Sequence, residues 1–432
     1  MNTGLLERHM QEEVGFIELL RVNPIFRRYW IANSISMLGE WFNTVAIFVL
    51  IESISTSALA ISGIIVLRMF ALAIPQLFTG VIADRYSRKM LLVVSNIASA
   101  LVLIPLFFLR GPQDLWIIYA VSGGLMFLHA IYIPAENAVM PTITAENELL
   151  TANALNSGTW SASLAIGSGL GGIVVAAWGV NIAFAINMLS FILAALLLLQ
   201  IDIPKTKAKK RVGKWWESSL LEVKEGWSII LSTPPVRRII TAKAMWGLFG
   251  GGLVYMLILI GAEGGFGNIA TGIGMLFAAR GIGTGLGPIL AKYAFTNREI
   301  WPQLLGWLVS IGGLGYCLIG FLEWTPWIVI IVIIAHAASG VNWVLSTVLL
   351  QERSEDEWRG RLFATDFLLL TTILGLSTMA AGLLVEFGPL TLREAVLLFA
   401  ALQILSGLIW TFLVSPGEKK LRNENVVNSQ SN

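Results

Sequence analysis

Twelve stretches of this 432-residue chain are each long and apolar enough to cross a bilayer as a helix, and nothing else constrains its fold so tightly. Six lie at about 29–51, 58–83, 89–109, 115–135, 155–178 and 181–201, and six more at about 239–262, 269–292, 300–322, 326–350, 362–386 and 392–415. Hydrocarbon offers no partner to a backbone N–H or C=O, so each stretch has to satisfy its own, as a helix does. With 56% hydrophobic and 13% charged residues, an ordinary soluble domain is excluded. The fold class expected is an all-α membrane protein, with twelve transmembrane helices in two six-helix bundles.

The basic residues orient the spans. If the N-terminus is cytoplasmic, 24 Lys and Arg fall on that side and only Arg110 and Arg393 on the other. Such an asymmetry predicts N-in, C-in topology in the cell (inner or plasma) membrane. The expected domains are a cytoplasmic N-tail over 1–28, a first bundle over 29–201, a central loop over 202–238, a second bundle over 239–415 and a C-tail over 416–432. The N-tail carries Glu7, Glu12, Glu13 and Glu18 without an apolar h-region, so a signal peptide is not expected. Within it, Phe16-Ile-Glu-Leu-Leu20 suits a short interfacial helix. The central loop holds the run Lys205, Lys207, Lys209, Lys210, Arg211 and Lys214 before Trp215-Trp216. Topology accounts for this charge, so no nucleic-acid partner is expected; an amphipathic helix on the membrane surface is.

Polar residues inside spans point to chemistry. Asn33, Ser36, Glu40 and Asn43 share one helical face of the first span, which has to turn away from lipid. Glu40 sits near mid-bilayer, where burial penalises its charge unless a cation is near, and Arg68 lies at similar depth in the second span. The pair is either a proton carrier alternating between protonated and Arg-paired states or a static ion pair fixing helix register. Arg280 in the eighth span has no obvious acid at its depth; it either attracts an anionic substrate group or bonds to carbonyls of a glycine-rich neighbour. His129 and Glu136 share a face of the fourth span, and His336 lies mid-way along the tenth. Each histidine is suited to a proton relay or to an interhelical hydrogen bond. No set has metal-ligand spacing, and Cys317 is the single cysteine, so neither a metal site nor a cofactor is expected. The offsets from Arg68 to Arg280 and from Pro141 to Gln351, 212 and 210 residues, suggest duplicated halves.

The segment Gly80-Val-Ile-Ala-Asp84-Arg85-Tyr-Ser-Arg88-Lys89 fits the pattern G-x-x-x-D-R-x-x-R-[RK]. It resembles the loop between helices 2 and 3 of the major facilitator superfamily. Leu38-Gly-Glu-Trp-Phe42, Pro134-Ala135 with Pro141, Leu150-Thr-Ala-Asn153-Ala154 and Arg359-Gly-Arg361 look like the branch of bacterial macrolide-efflux and siderophore-export permeases. In the fifth span, Ser163, Gly167, Ser168, Gly171 and Gly172 resemble the antiporter pattern G-x-x-x-G-P-x-x-G-G, with serine replacing its first glycine and its proline. The resemblance implies a secondary transporter, not an enzyme, that works by alternating access. It implies export of an amphipathic small molecule (a drug, a macrolide-like compound, a siderophore or a metabolite) by proton antiport, with a monomer as the working unit. Gly80, Asp84, Arg85, Arg88 and Lys89 would form its conformational switch. An importer or uniporter, or a non-transporting sensor or assembly factor, are the alternatives.

Overall fold

The computed structural model describes residues 14–55, 57–203 and 215–418. The basic run from Lys205 to Lys214 and the three basic residues of the C-tail lie outside the described residues. Among the described residues, twelve helices have the length and composition to cross a membrane. In the first half these are α2 (Pro24–Ile54), α3 (Ala58–Arg85), α4 (Arg88–Val102), α5 (Leu115–Ile143), α6 (Glu146–Trp178) and α7 (Val180–Leu199). The second half holds α9 (Pro234–Glu263), α10 (Ile269–Ala294), α11 (Trp301–Phe321), α12 (Ile328–Glu352), α13 (Asp356–Phe387) and α14 (Leu392–Ile409). A short lead-in, α1 (Phe16–Val22), forms where the sequence predicts it, and α8 (Trp215–Ser232) joins the halves.

Helix ends follow local chemistry. The Asn23 side chain accepts the Phe26 N–H at 2.8 Å just ahead of Pro24, so α2 starts five residues before its apolar stretch. Glu148 accepts the Ala145 N–H at 3.0 Å, and α6 therefore begins at Glu146, well before the expected 155. At Pro105 the chain lacks an N–H donor, and α4 gives way to a 3₁₀ turn over Ile104–Phe108. By contrast α5 runs through Pro134 and Pro141 to Ile143. The central loop carries a helix, as the sequence leads one to expect, over Trp215–Ser232, and α9 starts at Pro234.

The packing repeats between halves. In the first, α2 packs on α6 and α7, α5 on α3 and α4, and α4 on α7. In the second, α9 packs on α13 and α14, α12 on α10 and α11, and α11 on α14. First–fifth, first–sixth, second–fourth, third–fourth and third–sixth contacts thus occur twice, as duplicated units require. The halves meet through α3 against α13 and α6 against α10, again an equivalent pair.

One end of the molecule, here the terminal end, carries α1, the 85–88 turn and α8. At the opposite or far end the halves are bound together. Ser57 Oγ donates to Glu386 Oε2 at 3.1 Å, and Tyr255 OH donates to the Ala58 carbonyl at 2.9 Å. Phe48 and Phe277 meet with ring centroids 5.7 Å apart.

Candidate substrate and coupling site

The polar face of α2 turns inward. Asn33, Ser36 and Asn43 are buried and Glu40 is half-buried. A cavity inside the first half is lined by Asn33, Ser36 and Glu40 from α2, Asn96 from α4, and His129 and Tyr132 from α5. Glu40 Oε1 lies 3.7 Å from Arg68 Nη2, which also donates to Thr44 Oγ1 at 3.3 Å. Arg68 Nη1 is buried without a hydrogen-bond partner. The cation is therefore held from behind, and the carboxylate stands on the cavity wall.

A second carboxylate lies one layer below. Glu136 Oε1 accepts from Asn33 Nδ2 at 2.8 Å, Asn156 Nδ2 at 3.1 Å and the Tyr29 hydroxyl at 3.3 Å. Tyr132 donates to Asn33 Oδ1 at 3.3 Å. Asn33 thus connects the cavity wall to a buried carboxylate through one side chain. His129 stacks on Tyr132 with centroids 6.3 Å apart. Asn43, by contrast, has neither polar atom hydrogen-bonded and stands apart from this network.

The 80–89 segment is helical through Arg85, so only Tyr86 and Ser87 form the turn. The side chains of Gly80, Asp84 and Arg85 lie outside the described residues. Arg88 donates to the Ala138 carbonyl at 2.6 Å, and Lys89 to the Leu199 carbonyl at 2.8 Å. These two cations clasp the terminal ends of α5 and α7.

The small residues of α6 serve two partners at once. A Cβ on Gly167 would lie 2.8 Å from Trp41 Cβ, and one on Gly171 would lie 3.1 Å from Phe42 Cα, both on α2. Gly172 faces the other half, where a Cβ would come within 2.6 Å of the Ala270 carbonyl oxygen and 2.9 Å of Gly274 Cα. Ser168, where the antiporter pattern has proline, is buried with its hydroxyl unpartnered.

The second half holds two polar groupings. Lys243 on α9 and Asp366 on α13 form a buried ion pair, with Lys243 Nζ 4.8 Å from the centroid of the Trp343 ring. Tyr316 OH and His336 Nε2 lie 2.9 Å apart, joining α11 to α12. Arg280 is within electrostatic range of both members of that pair.

The sequence profile of the Major Facilitator Superfamily matches residues 29–370, most of the chain. The chain belongs to the Major Facilitator Superfamily. Its sequence is similar to the uncharacterized MFS-type transporter YfiS of Bacillus subtilis, at 25% identity over 66% of this chain and 60% of that protein. It is also similar to macrolide efflux protein A of Streptococcus pyogenes, at 21% identity over 78% and 84% of the two chains. The enterobactin exporter EntS of Escherichia coli matches at 24% identity over 80% and 82%. Among solved structures, the POT family transporter PepTSo shares the fold with a TM-score of 0.71 at 12% identity, covering 92% of this chain and 99% of its own. A bacterial homolog of the human lysosomal transporter Spinster follows with a TM-score of 0.67 at 17% identity, covering 91% and 96%.

As a member of this superfamily the chain is a multi-pass membrane transporter, in a family that is not enzymatic. Four of the sequence candidates, Asn33, Ser36, Glu40 and His129, line one cavity; Arg68 joins them through Glu40 and Glu136 through Asn33. Arg280 and His336 sit in the other half. The Lys243–Asp366 pair escaped the sequence reading. Its signal was present: Lys243 is nine residues past Pro234 and Asp366 ten past Asp356, on two helices that start at the same end. Unlike Glu40 and Arg68, the two are not on consecutive helices, so matching depths had no reason to be compared.

Proposed function

We propose that the chain is a proton-coupled exporter of amphipathic small molecules. It would work as a monomer in the cell membrane with both termini cytoplasmic, its halves over 29–201 and 239–415 rocking as units. The observation that carries this reading is the 3.7 Å contact between Glu40, on a cavity wall, and Arg68 behind it. Ionised Glu40 is drawn to the Arg68 guanidinium, while a proton arriving through the cavity removes that attraction and frees Glu40 from its partner. Macrolide efflux and enterobactin export, the activities of two relatives, support the direction and the substrate class. The 80–89 turn, anchored by Arg88 and Lys89 to α5 and α7, is the proposed switch between the two arrangements.

The deciding experiment uses proteoliposomes with an imposed pH difference and a fluorescent amphipathic drug. Glu40→Gln copies the shape of the protonated acid, so it is expected to bind the drug yet lose uphill export almost entirely. Glu40→Asp, with the charge at shorter reach, is expected to keep part of it. Undiminished concentration of drug by Glu40→Gln would refute the coupling role and leave Glu40–Arg68 a structural pair.

A further inference from the structure

Arg280 stands mid-way along α10, eleven residues from Ile269 and fourteen from Ala294. Among the described residues no carboxylate lies within ion-pairing distance of it, whereas Arg68 has Glu40 and Lys243 has Asp366. No protein carbonyl accepts from its guanidinium in the described hydrogen bonds, and its Nε is buried without a partner. The face of Phe277 lies 5.6 Å from the guanidinium carbon. A cation kept at membrane depth without a counter-charge is expensive, and such residues mark ligand or ion paths.

The surroundings are built for an anion. Gly283 lets α12 approach so closely that a Cβ there would lie 2.8 Å from His336 Cβ, which seats the histidine against the helix carrying Arg280. His336 and Tyr316 are buried and hydrogen-bonded to each other at 2.9 Å, and both lie within electrostatic range of the guanidinium. The Tyr316–His336 pair keeps one N–H or O–H free beside the helix that carries Arg280, and neither member is an acid. Arg280 itself is half-buried, so part of it is still open to a ligand. A guanidinium offers two parallel N–H groups in the plane that a carboxylate matches.

We propose that Arg280, with the Tyr316–His336 pair beside it, binds a carboxylate carried by the transported molecule. The substrate class is then an amphipathic organic acid, its acid group on the second half. This rests on the reading of the chain as a small-molecule exporter. It assigns the two halves different work, with proton exchange at Glu40 and anion recognition at Arg280.

The test measures thermal unfolding of the purified full-length protein against rising concentrations of 1-naphthoate and of its uncharged analogue 1-naphthamide, with no gradient present. Naphthoate is expected to raise Tm and naphthamide not to. In Arg280→Gln the half-saturating naphthoate concentration is expected to rise about tenfold or more, the loss of one charge-assisted pair. Arg280→Lys, which keeps the charge without the fork, is expected to fall between. If Arg280→Gln cannot be recovered folded, Arg280→Lys and His336→Gln carry the test, each with an expected weakening of several-fold. Equal stabilisation by acid and amide, no stabilisation by the acid, or unchanged half-saturation in these variants overturns the proposal. Binding here needs no transport: loss of the carboxylate effect beside intact drug export removes only this site. Carboxylate binding without any flux removes the exporter reading instead.

Discussion

Lys243 and Asp366 show how an ion pair at membrane depth is held. Both side chains are almost fully buried, and Trp343 lies under the ammonium group. Removing one partner strands the other charge in an apolar core. Lys243→Met or Asp366→Leu alone is therefore expected to lower stability by about 3–5 kcal/mol, while the double variant recovers most of it. Thermal unfolding of the three purified proteins checks this; equal losses in single and double variants would show that the pair has no coupling. Glu40 and Arg68 were legible in the sequence because consecutive antiparallel helices put residues of known depth side by side. Asp366 and Lys243 were not, because which helix packs on which is a tertiary fact. The same holds for Asn156 and Tyr29, which reach Glu136 from α6 and α2. Neither stands out as a site residue when its own span is read alone.

The twelve spans themselves were plain from hydropathy, since a bilayer fixes both the length and the apolarity of a crossing helix. Their ends were not, because Asn23, Glu148 and Pro105 act through capping and a missing donor, which run lengths do not register. The glycine and serine run of α6 announced a close approach, and the structure shows it touching α2 and α10 together. The opposing surface on α10 is as closely fitted, for a Cβ on Gly281 would lie 2.4 Å from the Ala165 backbone nitrogen. Backbone cannot step aside as a side chain can. Gly281→Leu is accordingly expected to cut flux at least several-fold in proteoliposomes and to cost about 1–3 kcal/mol in stability. Gly158→Leu, on an α6 surface with nothing within 4 Å, serves as the control and is expected to transport normally. Normal flux in Gly281→Leu would mean that the α6–α10 contact is slack enough to rebuild.

Taken whole, the molecule is two copies of one packing plan, a duplication that two sequence offsets hinted at and the contacts make explicit. Its far end is held by Ser57, Ala58 and Leu59 against Glu386 and Tyr255. If transport requires that end to part, tying Ser57→Cys to Glu386→Cys with a short thiol cross-linker, in a Cys317→Ser background, is expected to abolish flux until reductant is added. Continued flux in the cross-linked protein would show that the far end need not open. The place where α6 and α10 touch backbone to backbone sets the mechanics of such a motion. On α10 the backbone contacts with α6 run from Ala270 to Gly281, which leaves one residue toward the far end and thirteen toward the terminal end. At 1.5 Å per residue these are lever arms of roughly 2 Å and roughly 20 Å. One rotation about that fulcrum sweeps the terminal mouth many times as far as the far one. In the export reading proposed above, such a lever makes a wide intake and a narrow outlet, so the bulk of a cargo is limited by the gate through which it leaves.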